Sequence, residues 1–216
     1  MTLSFLKWLA GFIDGDGTFH FYIYKAKDGN YRCPTISIAQ KERSALDYIK
    51  QQIGFGNICY IKSSECWYYE VSGIKRVSYL VNLVGKYIMT NKKQNQVHTL
   101  AYNNICKLPK FQNKISYAWL AGLWEADGWT SLQKCYYKSK MYSYITWGLC
   151  QQNELGLLQR IQEFLGIGQL RQDIRLDQLT ITKESLVRRL MRRLLNYCHC
   201  SYKISKYQQE MLYETR

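Results

Sequence analysis

Two rhythms of apolar positions alternate along the chain. Residues 4–14 and 116–126 are apolar nearly all round, which predicts two helices buried on most faces. Residues 18–24 and 31–39 are rich in aromatic and β-branched side chains, and Asp28-Gly29-Asn30 between them predicts a hairpin turn. Leu46, Ile49 and Ile53 recur at helical spacing within 42–53, and Gly54 ends that helix. A second hairpin is expected over 57–61 and 67–71, then helices over 77–87 and about 93–104. The second half repeats this order. It has strands near 129–138 and 142–150, a helix at 155–165, strands at 168–174 and 178–182, and helices at 185–196 and 204–213.

The repetition extends to the residues themselves. Leu9-Ala10-Gly11-Phe12-Ile13-Asp14-Gly15-Asp16-Gly17 returns as Leu120-Ala121-Gly122-Leu123-Trp124-Glu125-Ala126-Asp127-Gly128, displaced by 111. Leu46, Ile49, Ile53 and Gly54 return as Leu158, Ile161, Leu165 and Gly166, displaced by 112. Thr90-Asn91-Lys92 matches Ser201-Tyr202-Lys203, again displaced by 111. Two copies are too few for a solenoid and predict an α+β protein of tandem αββαββα repeats related by a pseudo-two-fold axis. The repeats are expected at 1–106 and 116–216, joined by a polar, basic linker at 107–115 that holds Pro109. Ser116 is placed to cap the helix that follows.

The 216 residues include 30 Lys and Arg against 16 Asp and Glu, a formal charge of +14. Each half of the chain has a net charge of +7, so the excess belongs to the whole molecule and suggests a polyanionic partner. A 47% apolar composition with 19 Tyr excludes a disordered basic tail. No apolar run is long enough for a membrane span, no secretory signal is expected, and no membrane partner is implied. The eight cysteines lack paired C-x-x-C spacing and read as reduced thiols. Cys198-His199-Cys200 has no second pair to complete a zinc site.

The repeated nonamers hold the candidate chemistry. Gly11 and Gly15, like Ala118, Gly122 and Ala126, lie four apart and so form small-residue stripes along one helix face. Two such stripes allow close backbone approach across the pseudo-dyad. Each helix ends in Asp-Gly, with Gly17 or Gly128 expected to take the left-handed conformation. Asp16 and Asp127 would then lie side by side at two helix C-termini, where the dipoles oppose them. A divalent cation such as Mg²⁺ would relieve that repulsion and suits phosphodiester hydrolysis.

The nonamers resemble the signature of the LAGLIDADG homing endonucleases, and two copies resemble the single-chain branch of that family, from about residue 4 to 210. The resemblance implies two antiparallel sheets forming a DNA-binding saddle around a central two-helix interface. It also implies a monomeric, Mg²⁺-dependent, intron-encoded nuclease that breaks both strands of a long, asymmetric duplex DNA. It puts the active-site acids at Asp16 and Asp127, with Gly15 and Ala126 also assigned to the metal site. Asp14 and Glu125 are left as local, structural acids. A polar residue supporting the attacking water falls on Gln40 and on Gln152, or on Gln151 if the offset of 111 holds there. A basic residue in each half falls on Lys92 and Lys203, with Lys93 the competitor to Lys92.

Strand alternation puts Phe19, Phe21 and Ile23 on one face and Thr18, His20, Tyr22 and Tyr24 on the other. His20, Tyr22 and Tyr24 are expected to face DNA, with Lys25, Arg32, Lys62, Lys134, Lys138, Lys140, Arg171 and Arg175 as phosphate or base contacts. Arg188, Arg189, Arg192 and Arg193 form a separate basic cluster, either phosphate-facing or solvated. An RNA-binding intron maturase of the same fold and a catalytically silent DNA-binding protein are the alternatives. The resemblance implies a chloroplast or mitochondrial location.

Overall fold

The computed structural model describes residues 1–26, 29–138 and 140–213; Asp28 of the expected turn lies outside the described residues. The first repeat comprises α1 (Leu3–Asp16), β1 (Gly17–Ala26), β2 (Gly29–Gln40), α2 (Ser44–Ile53), β3 (Asn57–Ile61), β4 (Cys66–Ser72), α3 (Ile74–Val84) and α4 (Asn91–Tyr102). The second comprises α5 (Tyr117–Asp127), β5 (Gly128–Tyr137), β6 (Lys140–Gln151), α6 (Leu155–Leu165), β7 (Gln169–Gln172), β8 (Asp177–Ile181), α7 (Glu184–Leu194) and α8 (Ser201–Tyr213). Each repeat builds one antiparallel four-stranded sheet, in the orders β1-β2-β4-β3 and β5-β6-β8-β7. Among the described residues no helix is long and apolar enough to cross a membrane.

The helix boundaries follow local chemistry. Thr2 Oγ1 accepts the Phe5 N–H at 3.2 Å, and Ser116 Oγ accepts the Trp119 N–H at 3.3 Å, so hydroxyls cap α1 and α5. Gly54 and Gly166 end α2 and α6 at φ 85° and 66°, the left-handed conformation that favours glycine. Gly17 and Gly128 do not follow that pattern. Their φ values of −82° and −87° correct the expected left-handed caps, because the chain passes directly from helix into strand. Their missing side chains serve packing instead: a Cβ at Gly17 would strike Ile13, and one at Gly128 would strike the Trp124 ring.

The sheets cover their helices unevenly. Phe19, Ile36, Ile38, Tyr69 and Val71 are buried beneath the first sheet, and Ile145, Trp147, Leu149, Leu179 and Ile181 beneath the second. Ile23, expected on the apolar face, is 62% exposed, because the β1–β2 hairpin runs out past the helices that would cover it.

α1 and α5 pack against each other at the centre, and glycine sets their separation. A methyl group at Gly11 would overlap the Trp119 carbonyl oxygen, and one at Gly122 would overlap the Trp8 carbonyl oxygen. The two clashes are reciprocal, as a pseudo-dyad requires. Gly11→Ala or Gly122→Ala should each cost about 3 kcal/mol or more, since only backbone movement relieves the overlap. Gly156→Ala, in a helix position with open space around it, should instead be neutral or stabilising by up to about 1 kcal/mol. Urea midpoints of the three variants against wild type check both statements.

Candidate functional site

The second acidic pair of the nonamers fastens the dyad. Trp8 Nε1 of α1 donates to Glu125 Oε2 of α5 at 2.6 Å, and Trp119 Nε1 of α5 donates to Asp14 Oδ2 of α1 at 2.9 Å. Asp14 also accepts the Met89 N–H at 2.9 Å, the Thr90 N–H at 3.0 Å and the Thr90 hydroxyl at 2.7 Å, at the start of α4. Glu125 accepts the His199 N–H at 2.7 Å and the Cys200 N–H at the start of α8. These acids are structural, as expected, but they are not local. Each joins the last helix of its own repeat to a tryptophan of the other. Burial pushes Asp14 up to about 6 and Glu125 up to about 7, against the pull of their hydrogen-bond donors.

Asp16 and Asp127 end α1 and α5 next to each other. Burial, then the neighbouring Asp127 charge, pushes Asp16 up to about 7; burial also raises Asp127. Gln40 Nε2 donates to Asp16 Oδ2, and Gln151 Nε2 donates to Asp127 Oδ2 at 2.6 Å. Gln151, not Gln152, therefore stands beside the second aspartate. The offset of 111 persists to the end of β6 and the start of α6, and the extra residue of the second repeat enters only afterwards, since α6 is one residue longer than α2. The exposed Gln152 lies in the same pocket without this hydrogen bond.

The lysines require a similar correction. Lys203 Nζ donates to the carbonyls of Trp124 at 3.0 Å, Ala126 at 3.2 Å and Gly128 at 2.6 Å. Its counterpart is the buried Lys93, which donates to the Gly17 carbonyl, whereas Lys92 is exposed. By the contacts of Asp14 and Glu125, Thr90 corresponds to Cys200, so the offset here is 110 and the Thr-x-Lys match is one residue out of register. Both lysines offset the negative ends of α1 and α5. Burial lowers the pKa of each, and the neighbouring acids oppose that shift.

Two pockets related by the dyad result. One is lined by Asp127 and Gln151 from the second repeat with Gly15, Lys92 and Lys93 from the first. The other is lined by Asp16 and Gln40 from the first repeat with Ala126 and Lys203 from the second. Each thus combines an aspartate and a glutamine of one repeat with the preceding small residue and a lysine of the other. The paired, protonation-prone carboxylates fit a hard divalent cation. Among the described residues no group of three or more His, Cys, Asp or Glu side chains converges, so other oxygen donors would complete the coordination.

The strand candidates are distributed unevenly. His20, Tyr22 and Tyr24 share the sheet face turned away from Phe19; the His20 and Tyr22 rings meet edge-on at 4.8 Å, and the Tyr22 hydroxyl donates to Glu70 at 3.2 Å. Lys25 and Arg32 lie on the other face, where the Arg32 guanidinium covers the Phe21 ring at 4.6 Å. Lys134 likewise shares its strand face with Thr130 and Leu132. Lys62, Lys138 and Lys140 are exposed at hairpin ends, and Arg171 and Arg175 line one pocket with Asp173 and Gln178. The α7 arginines are on the outer face of a helix whose Val187, Leu190, Met191 and Leu194 are buried, away from the open sheet faces. Arg188 pairs with Glu184 there, and Arg193 stacks on Tyr117. All eight cysteines are free thiols.

Fold and site together define a single-chain, two-repeat protein with its paired carboxylates at the repeat interface. The sequence model of the LAGLIDADG endonuclease family matches residues 9–104, which is the first repeat. It is 27% identical over 176 residues to an uncharacterized cox1 intron-2 37.2 kDa protein of Schizosaccharomyces pombe, covering 76% of this chain. It spans about half (50%) of that relative's length. The meganuclease I-AabMI bound to uncleaved DNA superposes with a TM-score of 0.79 at 20% identity, over 97% of this chain and 90% of its own. The homing endonuclease I-LtrWI bound to target DNA gives 0.79 at 18% identity, over 99% and 91%. I-SmaMI bound to uncleaved DNA in the presence of calcium ions gives 0.75 at 18% identity, over 95% and 89%.

The raised acids set a pH dependence. A carboxyl group with a higher pKa folded than unfolded binds more protons in the native state between the two values, so stability falls as pH rises through that window. Without divalent cations, thermal stability should decline from about pH 4.5 to about pH 7, the span between unfolded carboxylates and the raised values of Asp14, Asp16 and Glu125. Asp16→Asn should flatten part of that decline. Melting curves across the window check both, and a wild-type midpoint that climbs with pH would contradict the assignment.

Proposed function

We propose that this protein is a site-specific homing endonuclease that cuts both strands of a long duplex DNA. The observation that supports this reading best is the pair of pockets at the dyad, each assembled from both repeats around one half-buried aspartate. The structures of I-AabMI and I-LtrWI bound to DNA support a nucleic-acid partner, and so does the charge of +14. The halves differ in strand sequence, so the target need not be palindromic, and one chain suffices as a monomer. The repeats at 1–106 and 116–216 would each span one half-site.

Asp16 and Asp127 would hold Mg²⁺, with the backbone at Gly15 and Ala126 beside them. When bound, the cation polarises the scissile phosphate and lowers the pKa of water. Gln40 and Gln151 fix the orientation of the aspartates and border the space where water must approach. Lys93 and Lys203 bring positive charge to each pocket, where negative charge grows on the phosphate as the bond breaks. His20, Tyr22 and Tyr24 face the groove, while Lys62, Lys138, Lys140, Arg171 and Arg175 are placed for phosphates, and Lys25, Arg32 and Lys134 for the flanks. The relative encoded in a cox1 intron supports an intron-encoded, organellar origin.

Incubating the protein with a library of long duplexes and Mg²⁺ tests the proposal. Wild type should make double-strand breaks, and neither Asp16→Asn nor Asp127→Asn should. Gln151→Ala should slow cleavage by about tenfold or more while Gln152→Ala stays near wild type, and Lys93→Met should exceed Lys92→Met in effect. Binding without any cleavage sinks the nuclease reading; tighter binding to a structured intron RNA, with promotion of its splicing, favours a maturase. Log affinity should also fall steeply with log salt, with a slope of about −0.9 per phosphate neutralised.

A further inference from the structure

Glu154 lies outside the aspartate, glutamine and lysine set, yet it is only 5% exposed and its carboxylate reaches across the dyad. It sits at the start of α6 in the second repeat and meets the start of α4 in the first. Its Oε1 accepts the Asn91 N–H at 2.6 Å and the Lys92 N–H at 3.4 Å, and Oε2 accepts from Asn91 Nδ2 at 3.1 Å. Its own N–H donates to Oδ2 of the buried Asp177 at 3.0 Å, which holds the segment from beneath. The first amides of a helix are unpaired donors at the positive end of its dipole, so a buried carboxylate there makes charge-assisted bonds. Lys93 is the next residue along, and Glu154 lines the same pocket as Lys93, Asp127 and Gln151.

The repeat supplies its own comparison. At the start of α8, the helix of Lys203, the group arriving from the other repeat is Ser44, at the start of α2. Its Oγ accepts the Ser201 N–H at 3.3 Å and the Ser201 hydroxyl at 3.1 Å. One lysine-bearing helix is thus tethered across the dyad by a buried carboxylate, the other by a neutral hydroxyl at an exposed contact. We propose that Glu154 is a positioning residue that pre-organises the Asp127–Gln151–Lys93 pocket, so that the two DNA strands depend on it unequally. This rests on the endonuclease reading above.

Strand-resolved cleavage tests it. The probe is a supercoiled plasmid bearing a site that wild type cuts, recovered from the duplex library, with Mg²⁺ and each strand labelled. Glu154→Gln keeps the shape of the side chain and removes its charge. One strand should slow by about tenfold while the other changes by less than about twofold, and nicked circles should accumulate. The slowed strand should be the one that Lys93→Met slows most, and the opposite one from Lys203→Met. Hydrogen exchange on the free protein should quicken in residues 91–97 and stay unchanged in 201–207. Equal slowing of both strands, with a lowered melting temperature, would show that Glu154 only supports the fold and would overturn the proposal. A wild type that cuts no duplex overturns the endonuclease reading instead. Unchanged exchange at 91–97 in Glu154→Gln overturns the anchoring in either case.

Discussion

The contact between α1 and α5 governs everything else in the molecule. Because neither Gly11 nor Gly122 has a side chain, each helix backbone rests against a carbonyl of the other. That separation brings the Trp8 indole within reach of Glu125 and the Trp119 indole within reach of Asp14. It also brings two helix C-termini together, so that Asp16 and Asp127 share one neighbourhood. A wider helix pair would loosen the reciprocal bonds and separate the aspartates together. Packing and chemistry therefore rest on the same two glycines.

The large features of this arrangement are legible in the sequence because they are periodic or duplicated. Apolar spacing reveals the helices and strands, and the doubled nonamer reveals the dyad and both aspartates. The misreadings fall where periodicity stops. The repeat offset is 111 through Gln40 and Gln151, 112 at Gly54 and Gly166, and 110 at Lys93 and Lys203, because helix ends and loops gain or lose residues without disturbing the core. A one-residue slip in a polar stretch leaves no hydrophobic trace, so Gln152 and Lys92 look as good as their neighbours in one dimension. The distant amides that Asp14 and Glu125 accept from settle the last register, and that pairing exists only in three dimensions. Glu154 leaves no sequence signal, since its partners are 63 and 62 residues away in the other repeat.

Charge is distributed with equal economy of means. The surplus of 14 positive charges is spread over both halves, while Asp14 and Glu125 at the dyad are buried and Asp16 and Asp127 half-buried. Asp14 accepts four hydrogen bonds and Glu125 three, from indoles, helix amides and the Thr90 hydroxyl, which makes them mechanical parts despite their place within the signature. Asp16 and Asp127 each receive a glutamine amide and retain acceptor capacity. The difference lies in position along the helix: two residues further on, the chain has left the shelter of α4 or α8 and opens onto a pocket.

The two lysines complete the electrostatic logic. Two carboxylates at the negative ends of two helices are an arrangement that folding alone disfavours. Lys93 and Lys203 counter it by donating to the carbonyls at those same helix ends, without bonding the aspartates directly. A lysine that neutralised an aspartate outright would fill the acceptor sites a cation needs. By binding the backbone instead, each lysine offsets the dipole, stays within electrostatic reach of both acids, and leaves their oxygens available. The site is held together by charges placed near one another yet not spent on one another, and that leaves it able to accept a cation and a phosphate.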